Sequence, residues 1–377
     1  MRNGVIGLII GVVLGIVLGA TIIAPRLQRT AASTGAPPSP AAADLAKQLP
    51  RALVARPAVS LKLATAYPLE MPIAGALARR IDTRIWDVSR GQIEIRPYPP
   101  GALAPAEALF EALGSGAIDA ALFSPQSAGD LVPALRIFAG LPFGPSTDEF
   151  LAWMQFGTGD QLLEEVAGSR GVHALICGVL PPASFGWFRR DVVGLQDLRG
   201  LQMNATGLSA RVLARIGASV VDLPPGALML GLEQGSVDAV SWSSPAIDRH
   251  MGFATWLKFY YPQGWGKSPT VLYLMLGRKT WEGLNASQQA QIETVCGDNV
   301  RYSSAEGEAT QFAALKAIYG EGVHVQRLSP SIEDALKQAW QPVLQDAIDS
   351  DPDFQRVWQS LSAFRADWSV WRELSRQ

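Results

Sequence analysis

Two periods of apolar residues alternate along most of this chain. Residues 59–66 alternate apolar and polar positions as a strand does, ending at Tyr67 and Pro68; residues 73–88 carry apolar positions at helical spacing, and 92–98 read as a second strand. A helix over 105–113 follows. The same alternation returns later, with an opening strand at 172–177, an apolar stretch at 184–190, strands at 200–204 and 218–223, and helices at 209–216 and 226–233. The wholly apolar residues 271–276 read as a buried strand that crosses back to the first set. A long helix is expected over 287–319, a short strand over 322–326, and closing helices over 332–374, where Trp340, Trp358, Trp368 and Trp371 are taken as helix-packing residues.

Two corners match. Gly114-Ser-Gly116-Ala-Ile118-Asp119-Ala and Gly231-Leu-Glu-Gln-Gly235-Ser-Val237-Asp238-Ala each leave a helix at a glycine, turn through one small residue and enter a short strand that ends before a proline. Glycine suits the left-handed position past a helix end. The repetition is read as two equivalent α/β lobes with right-handed crossovers. Residues just beyond each corner strand, 124–126 and 241–244, then stand at carboxyl ends of sheet strands, where open α/β sheets bind ligands. Asp119 and Asp238 lie at the opposite ends and are read as turn or cap residues. The apolar, Gly- and Pro-broken segment 133–145 reads as a packed connection.

Composition narrows the classes. The 377 residues, 48% hydrophobic, can bury two cores. The 32 basic and 34 acidic residues nearly cancel and form no basic block, which argues against nucleic-acid binding. Residues 4–25 contain no charge and are long enough to span a bilayer; Arg26 follows without a clear cleavage sequence. An uncleaved signal anchor is expected over 1–25, a cleaved secretory signal being the alternative. Gly7, Gly11, Gly15 and Gly19 line one face of that helix, a pattern that permits helix–helix association and that also arises because glycine is common in such helices. Residues 26–58, rich in Ala and Pro, read as a tether. The folded part divides into 59–171 with 271–377 as the first lobe and 172–270 as the second. Cys177 and Cys296 either pair in an oxidising compartment or stay as buried thiols. His173, His250 and His324 lack metal-ligand spacing, so no metal site is expected.

No nucleophile elbow, phosphate loop, zinc-binding helix or dinucleotide fingerprint is present, and no residue is assigned a catalytic role. What collects at the expected strand ends is a set of aromatic and hydrogen-bonding residues: Tyr67, Gln126, Ser184, Trp187, Asn204, Thr206, Ser241, Trp242 and Trp265. Flat apolar walls with a few oriented polar groups make a small-ligand pocket. Each aromatic alone reads as core; their recurrence in both lobes favours a pocket, with no cofactor.

The order of Gly116-Ala-Ile-Asp-Ala120, Ile137-Phe-Ala-Gly-Leu-Pro-Phe-Gly-Pro145, Gly186-Trp-Phe-Arg-Arg190, Asp197-Leu-Arg-Gly-Leu-Gln-Met203, Gly235-Ser-Val-Asp-Ala239 with Trp242 and Pro245, Gly252-Phe253 and Tyr260-Tyr-Pro-Gln-Gly-Trp265 resembles the periplasmic solute-binding subunits of TRAP transporters, the DctP-type family. Trp242, Gly252-Phe253 and the Tyr-Tyr-Pro segment look most like the branch that binds 2-oxo acids and monocarboxylates. The resemblance implies an α/β clamshell of two lobes braced by a long helix, closing on a small organic solute. It also implies transfer to TRAP membrane permease subunits without chemistry on the solute, and a periplasmic location, here anchored to the inner membrane through the N-terminal helix or free after cleavage. In the family an arginine on the strand after Gly-Leu-Lys-Met grips the carboxylate, and in the 2-oxo acid branch a glutamate before the tryptophan helps to hold a cation. Asn204 and Ser241 stand at those positions here. Both charges are lost together, which implies a neutral or differently charged solute; Lys267 supplies a substitute cation only if it points inward. The rival readings are an anchored ligand sensor or scaffold and an envelope enzyme.

Overall fold

The computed structural model describes residues 57–375, so the expected membrane span, its glycine face and all but the last two residues of the tether lie outside the described residues. Among those described, no helix is long and apolar enough to cross a membrane. The chain begins with β1 (Val59–Thr65), α1 (Ala74–Val88), β2 (Ile93–Tyr98), α2 (Leu109–Ser115) and β3 (Ala120–Phe123). Three helices follow, α3 (Leu135–Ala139), α4 (Thr147–Phe156) and α5 (Gly159–Gly168), and then β4 (Val172–Leu180) and β5 (Ser184–Phe188). Next come β6 (Gln202–Asn204), α6 (Gly207–Arg215), β7 (Ser219–Val221), α7 (Pro225–Gln234), β8 (Ala239–Val240), α8 (Pro245–Met251) and β9 (Phe259–Gly264). The chain closes with β10 (Thr270–Gly277), α9 (Arg278–Glu282), α10 (Ala286–Gly320), β11 (His324–Val325), α11 (Pro330–Ser350) and α12 (Pro352–Ser375).

The strands form two sheets, ordered β2-β1-β3-β10-β4 and β11-β9-β5-β8-β6-β7. Taken from its β7 edge, the second sheet repeats the first. Its first three strands are parallel (β7, β6, β8), as are β2, β1 and β3, and the next strand, β5 or β10, runs antiparallel. The matched corners explain this likeness. Gly116 and Gly235 close α2 and α7 in the left-handed conformation, at φ 78° and 73°. Past them the Ala117 and Ile118 N–H groups bond to Ala112 O, and those of Ser236 and Val237 bond to Gly231 O. Asp119 then accepts the N–H of Lys62 on β1 at 3.0 Å, and Asp238 that of Gln202 at the start of β6 at 3.2 Å. Each aspartate thus fixes the register of a parallel neighbour from the amino end of its strand.

Two expected boundaries move. The 172–177 stretch is expected in the second lobe, but β4 pairs antiparallel along β10 at the edge of the first sheet. The chain changes sheet after Leu180 instead. The C-terminal third is not confined to the first lobe: β11 pairs with β9, and α11 packs on α6 of the second. Helix α12 returns to α4, α5 and α3 of the first. Segment 133–145 includes one short helix, α3. Helices α4 and α5 were not expected, since glycines at 157 and 159 interrupt their apolar pattern. Trp340 is buried as expected, whereas Trp371 is 62% exposed.

The brace is α10, whose 35 residues reach roughly 50 Å. A capping box starts it: Asn285 Oδ1 accepts the Gln288 N–H at 3.0 Å, and Gln288 Oε1 accepts the Asn285 N–H at 2.9 Å. Ile292, Val295 and Cys296 join the core of the first sheet, and Ile318 joins that of the second. Cys177 of β4 and Cys296 of α10 form a buried disulfide, which resolves the alternative left open by the sequence.

Candidate functional site

A cavity of about 130 Å³ lies where the two sheets present strand ends to one another. From the first sheet, the end of β3 brings Ser124 and Gln126, the latter on a 3-10 turn (Pro125–Ala128). From the second, the end of β6 brings Thr206, with Leu208 and Ser209 of α6, and the end of β8 brings Ser241 and Trp242. The link from β9 to β10 closes it with Trp265, Ser268, Pro269 and Thr270, against residues 139–142. Trp265 Nε1 donates to Ser241 Oγ at 3.3 Å, and the Phe143 N–H donates to Trp265 O at 2.5 Å. The Leu141 N–H donates to Ser268 Oγ at 3.2 Å. Trp242 meets Phe253 edge-on, their ring centres 6.1 Å apart.

No lining residue carries a charge. Ser124 Oγ is buried in the wall with no partner in the protein. Buried polar atoms are nearly always paired, so this hydroxyl is an exception among the described residues. A cation is a different matter. The wall offers hydroxyls and one amide but no carboxylate, and among the described residues no group of three His, Cys, Asp or Glu side chains could hold a metal. Hard cations such as calcium take six to eight oxygens, carboxylates prominent among them; these residues do not fit that demand.

Of the nine residues singled out in the sequence, Gln126, Thr206, Ser241, Trp242 and Trp265 line the cavity. Tyr67 stands behind its wall: burial raises its hydroxyl to about 12, opposed by the N–H of Ser124, which it faces. Asn204 turns aside. Its Oδ1 accepts the Leu223 N–H at 2.8 Å and its Nδ2 is buried without a partner. Ser184 and Trp187 belong to a knot around Asp248, a fully buried carboxylate. Asp248 Oδ2 accepts from Ser184 Oγ at 2.8 Å, Trp187 Nε1 at 3.1 Å and Tyr260 OH at 3.3 Å, while Oδ1 accepts the Ser243 N–H at 2.8 Å. That last bond fixes the backbone beside Trp242. Sequence reasoning missed Asp248, whose partners lie on distant strands, and also Ser209, Ser268 and Thr270. Lys267 lines a separate cavity of about 630 Å³ with Phe143, Glu149, Trp358, Arg365 and Trp368.

One contact crosses the cavity. A Cβ placed on Gly207, the first residue of α6, would fall 1.4 Å from Gln126 Nε2, and Gly207 has φ +61°. The Gly207→Ala variant is therefore expected to turn the Gln126 amide aside and to strain the backbone by roughly 1–2 kcal/mol. A lower melting temperature checks this; an unchanged one refutes the strain.

A family profile described as bacterial extracellular solute-binding protein, family 7 (DctP), matches residues 64–351. A curated relative, a monocarboxylate 2-oxoacid-binding periplasmic protein of Nostoc sp., is 24% identical over 320 residues, covering 85% of this chain and 87% of its own. A TRAP transporter solute-binding protein of Bordetella bronchiseptica, solved with calcium and picolinate in its site, superposes with a TM-score of 0.80 at 27% identity. The match covers 85% of this chain and 95% of that one. Another from Colwellia psychrerythraea, with bound calcium and pyruvate, gives 0.78 at 25% identity over 84% and 97% of the two chains. With two sheets of matching order meeting at a lined cavity and a profile match along most of the folded part, the chain belongs to the DctP family of extracellular solute-binding proteins.

Proposed function

We propose that this protein captures a small organic solute between its two sheets and passes it, unaltered, to the permease subunits of a TRAP transporter on the outer side of the inner membrane. In this reading Gln126, Thr206, Ser241, Trp242 and Trp265 contact the solute, Tyr67 and Asn204 support the wall, and Ser184 and Trp187 act through Asp248. The uncharged run at residues 4–25 supports an anchor in that membrane.

The observation that carries the solute class is the uncharged wall. Similar solved proteins hold pyruvate or picolinate together with calcium, a cation for which carboxylate oxygens are prominent ligands, and Ser241 occupies the position at which the 2-oxo acid branch carries a glutamate. The solute is accordingly not a metal-chelated 2-oxo acid. Pyruvate with calcium is expected to raise the melting temperature by no more than pyruvate with a chelator; a strong shift abolished by chelation overturns this. Mass spectrometry of small molecules retained by the purified protein identifies the solute. Trp242→Ala is expected to weaken its binding by roughly tenfold or more, since a buried aromatic wall contributes on the order of 1.5–3 kcal/mol.

A further inference from the structure

The cavity of about 630 Å³ stands behind one wall of the cavity between the sheets, and its size falls in the range of roughly 300–1,000 Å³ common to small-molecule sites. Helix α12 forms one side of this outer cavity, and residues from 143–149 and 266–267 form the other. Phe143, Trp358 and Trp368 are each only half-buried, so aromatic surface remains open there. The charges are unevenly matched. Arg365 Nε donates to Glu149 Oε1 at 3.1 Å and Arg372 Nη1 donates to Asp148 Oδ2 at 3.0 Å, so both carboxylates are engaged. Lys267 is exposed at the rim and, among the described residues, has neither a hydrogen-bond nor an ion-pair partner.

Two chain segments separate the cavities. In the first, Leu141 and Pro142 line the inner cavity while Phe143 and Gly144 line the outer; in the second, Trp265 and Ser268 line the inner while Gly266 and Lys267 line the outer. The segments are tied to each other. The Phe143 N–H donates to Trp265 O at 2.5 Å, the Leu141 N–H donates to Ser268 Oγ at 3.2 Å, and the Phe143 and Trp265 rings meet edge-on with centres 6.3 Å apart. From α12, Arg365 Nη1 donates to Phe143 O at 3.3 Å. Phe143 itself has φ +54°, in the left-handed region that a bulky residue adopts only where its surroundings hold it. Here α12 holds it from one side and Trp265 from the other.

From this geometry we infer that the outer cavity is an effector site for a ring-bearing organic anion, whose charged group pairs with Lys267 while its ring lies against Phe143, Trp358 and Trp368, and that its occupant acts on the inner cavity through Phe143 and Trp265. Charge decides the class. A cation would meet Lys267, Arg365 and Arg372 with both carboxylates already taken, and a neutral ring would leave the Lys267 ammonium unused. An anion gains a charge-assisted hydrogen bond, and the aromatic faces supply the contact area. An occupant seated against Phe143 supports the backbone conformation that places Trp265 in the inner wall. By linkage, ligands of the two cavities then tighten each other's binding. Binding in the outer cavity does not depend on what the inner one holds.

The test titrates the full protein, labelled with 5-fluorotryptophan, with 1-naphthoate, its uncharged primary amide and 1-naphthylmethylamine at constant ionic strength. Each fluorine signal is assigned by replacing that tryptophan with phenylalanine. The expected result is saturable binding of naphthoate that moves the signals of Trp358, Trp368 and Trp265 and leaves in place that of Trp281, which packs in a different core. The amide should bind roughly tenfold more weakly, the loss typical of a charge-assisted bond, and the amine not at all. Lys267→Gln, at an exposed position, should bring naphthoate down to the affinity of the amide. Ser369→Trp, which fills the cavity from an exposed position on α12, should abolish binding. The inference is overturned if naphthoate does not bind, if acid and amide bind alike, if either variant binds naphthoate as the unaltered protein does, or if Trp358 and Trp368 respond while Trp265 does not. Naphthoate binding lost in Trp242→Ala and kept in Ser369→Trp puts the probe in the inner cavity and also overturns it.

Discussion

Replacing Asp248 by alanine is expected to destabilise the protein by about 3–5 kcal/mol, the range seen when one partner of a buried charged network is removed. Four donors converge on this carboxylate, from Ser184 and Trp187 of β5, Tyr260 of β9 and the backbone of Ser243. Without it all four lose their acceptor inside the core, and the segment that presents Ser241 and Trp242 loses its tie to α8. Asp248→Asn keeps the shape but sets an amide N–H against the N–H of either Trp187 or Ser243, so it should also be destabilising. The pH dependence separates charge from shape. Burial pushes Asp248 from 3.8 up to about 6, against the pull of its four donors. A carboxyl raised in the folded state holds its proton more tightly there than in the unfolded chain. Its contribution to stability is therefore full below pH ~4 and is lost as pH rises through about 6, a swing of roughly 3 kcal/mol. Denaturant titrations between pH 4 and 7.5 should show this slope in the unaltered protein and not in Asp248→Asn. The same slope in both removes Asp248 as its source.

Removing the disulfide is expected to have an effect of similar size. The link between Cys177 and Cys296 closes 119 residues of chain, for which the loss of unfolded-state entropy corresponds to ~5 kcal/mol. Both sulfurs are buried and join the same core, so the double variant Cys177→Ala/Cys296→Ala adds a small packing defect to that loss. Urea unfolding of the oxidised protein, the reduced protein and the double variant measures it. Equal midpoints in the first two would show that the bridge does not form or does not constrain the unfolded chain. A stable bridge of this kind belongs to oxidising compartments, in keeping with an extracellular solute-binding family.

The parts of the fold legible in the sequence were those fixed by local chemistry. Gly116 and Gly235 announce left-handed helix ends, and the aspartates three residues later announce the strands that follow. The long apolar run of β10 was readable as a crossing strand because nothing else suits a segment buried on both faces. What escaped was set by distant pairing. The period of β4 gives no sign of which sheet accepts it, and α11 reveals its lobe only by packing on α6. The site divides in the same way. Gln126, Thr206, Ser241 and Trp242 follow from their places beyond strand ends, whereas Ser184 and Trp187 look identical in sequence and turn instead to a carboxylate more than sixty residues away.

Strand β10 lies between β3 and β4 in the first sheet, although the chain makes it only after nearly all of the second sheet. The first sheet therefore stays incomplete, without the strand that joins β3 to β4, until β5 to β9 have been made. Such non-local assembly is slow.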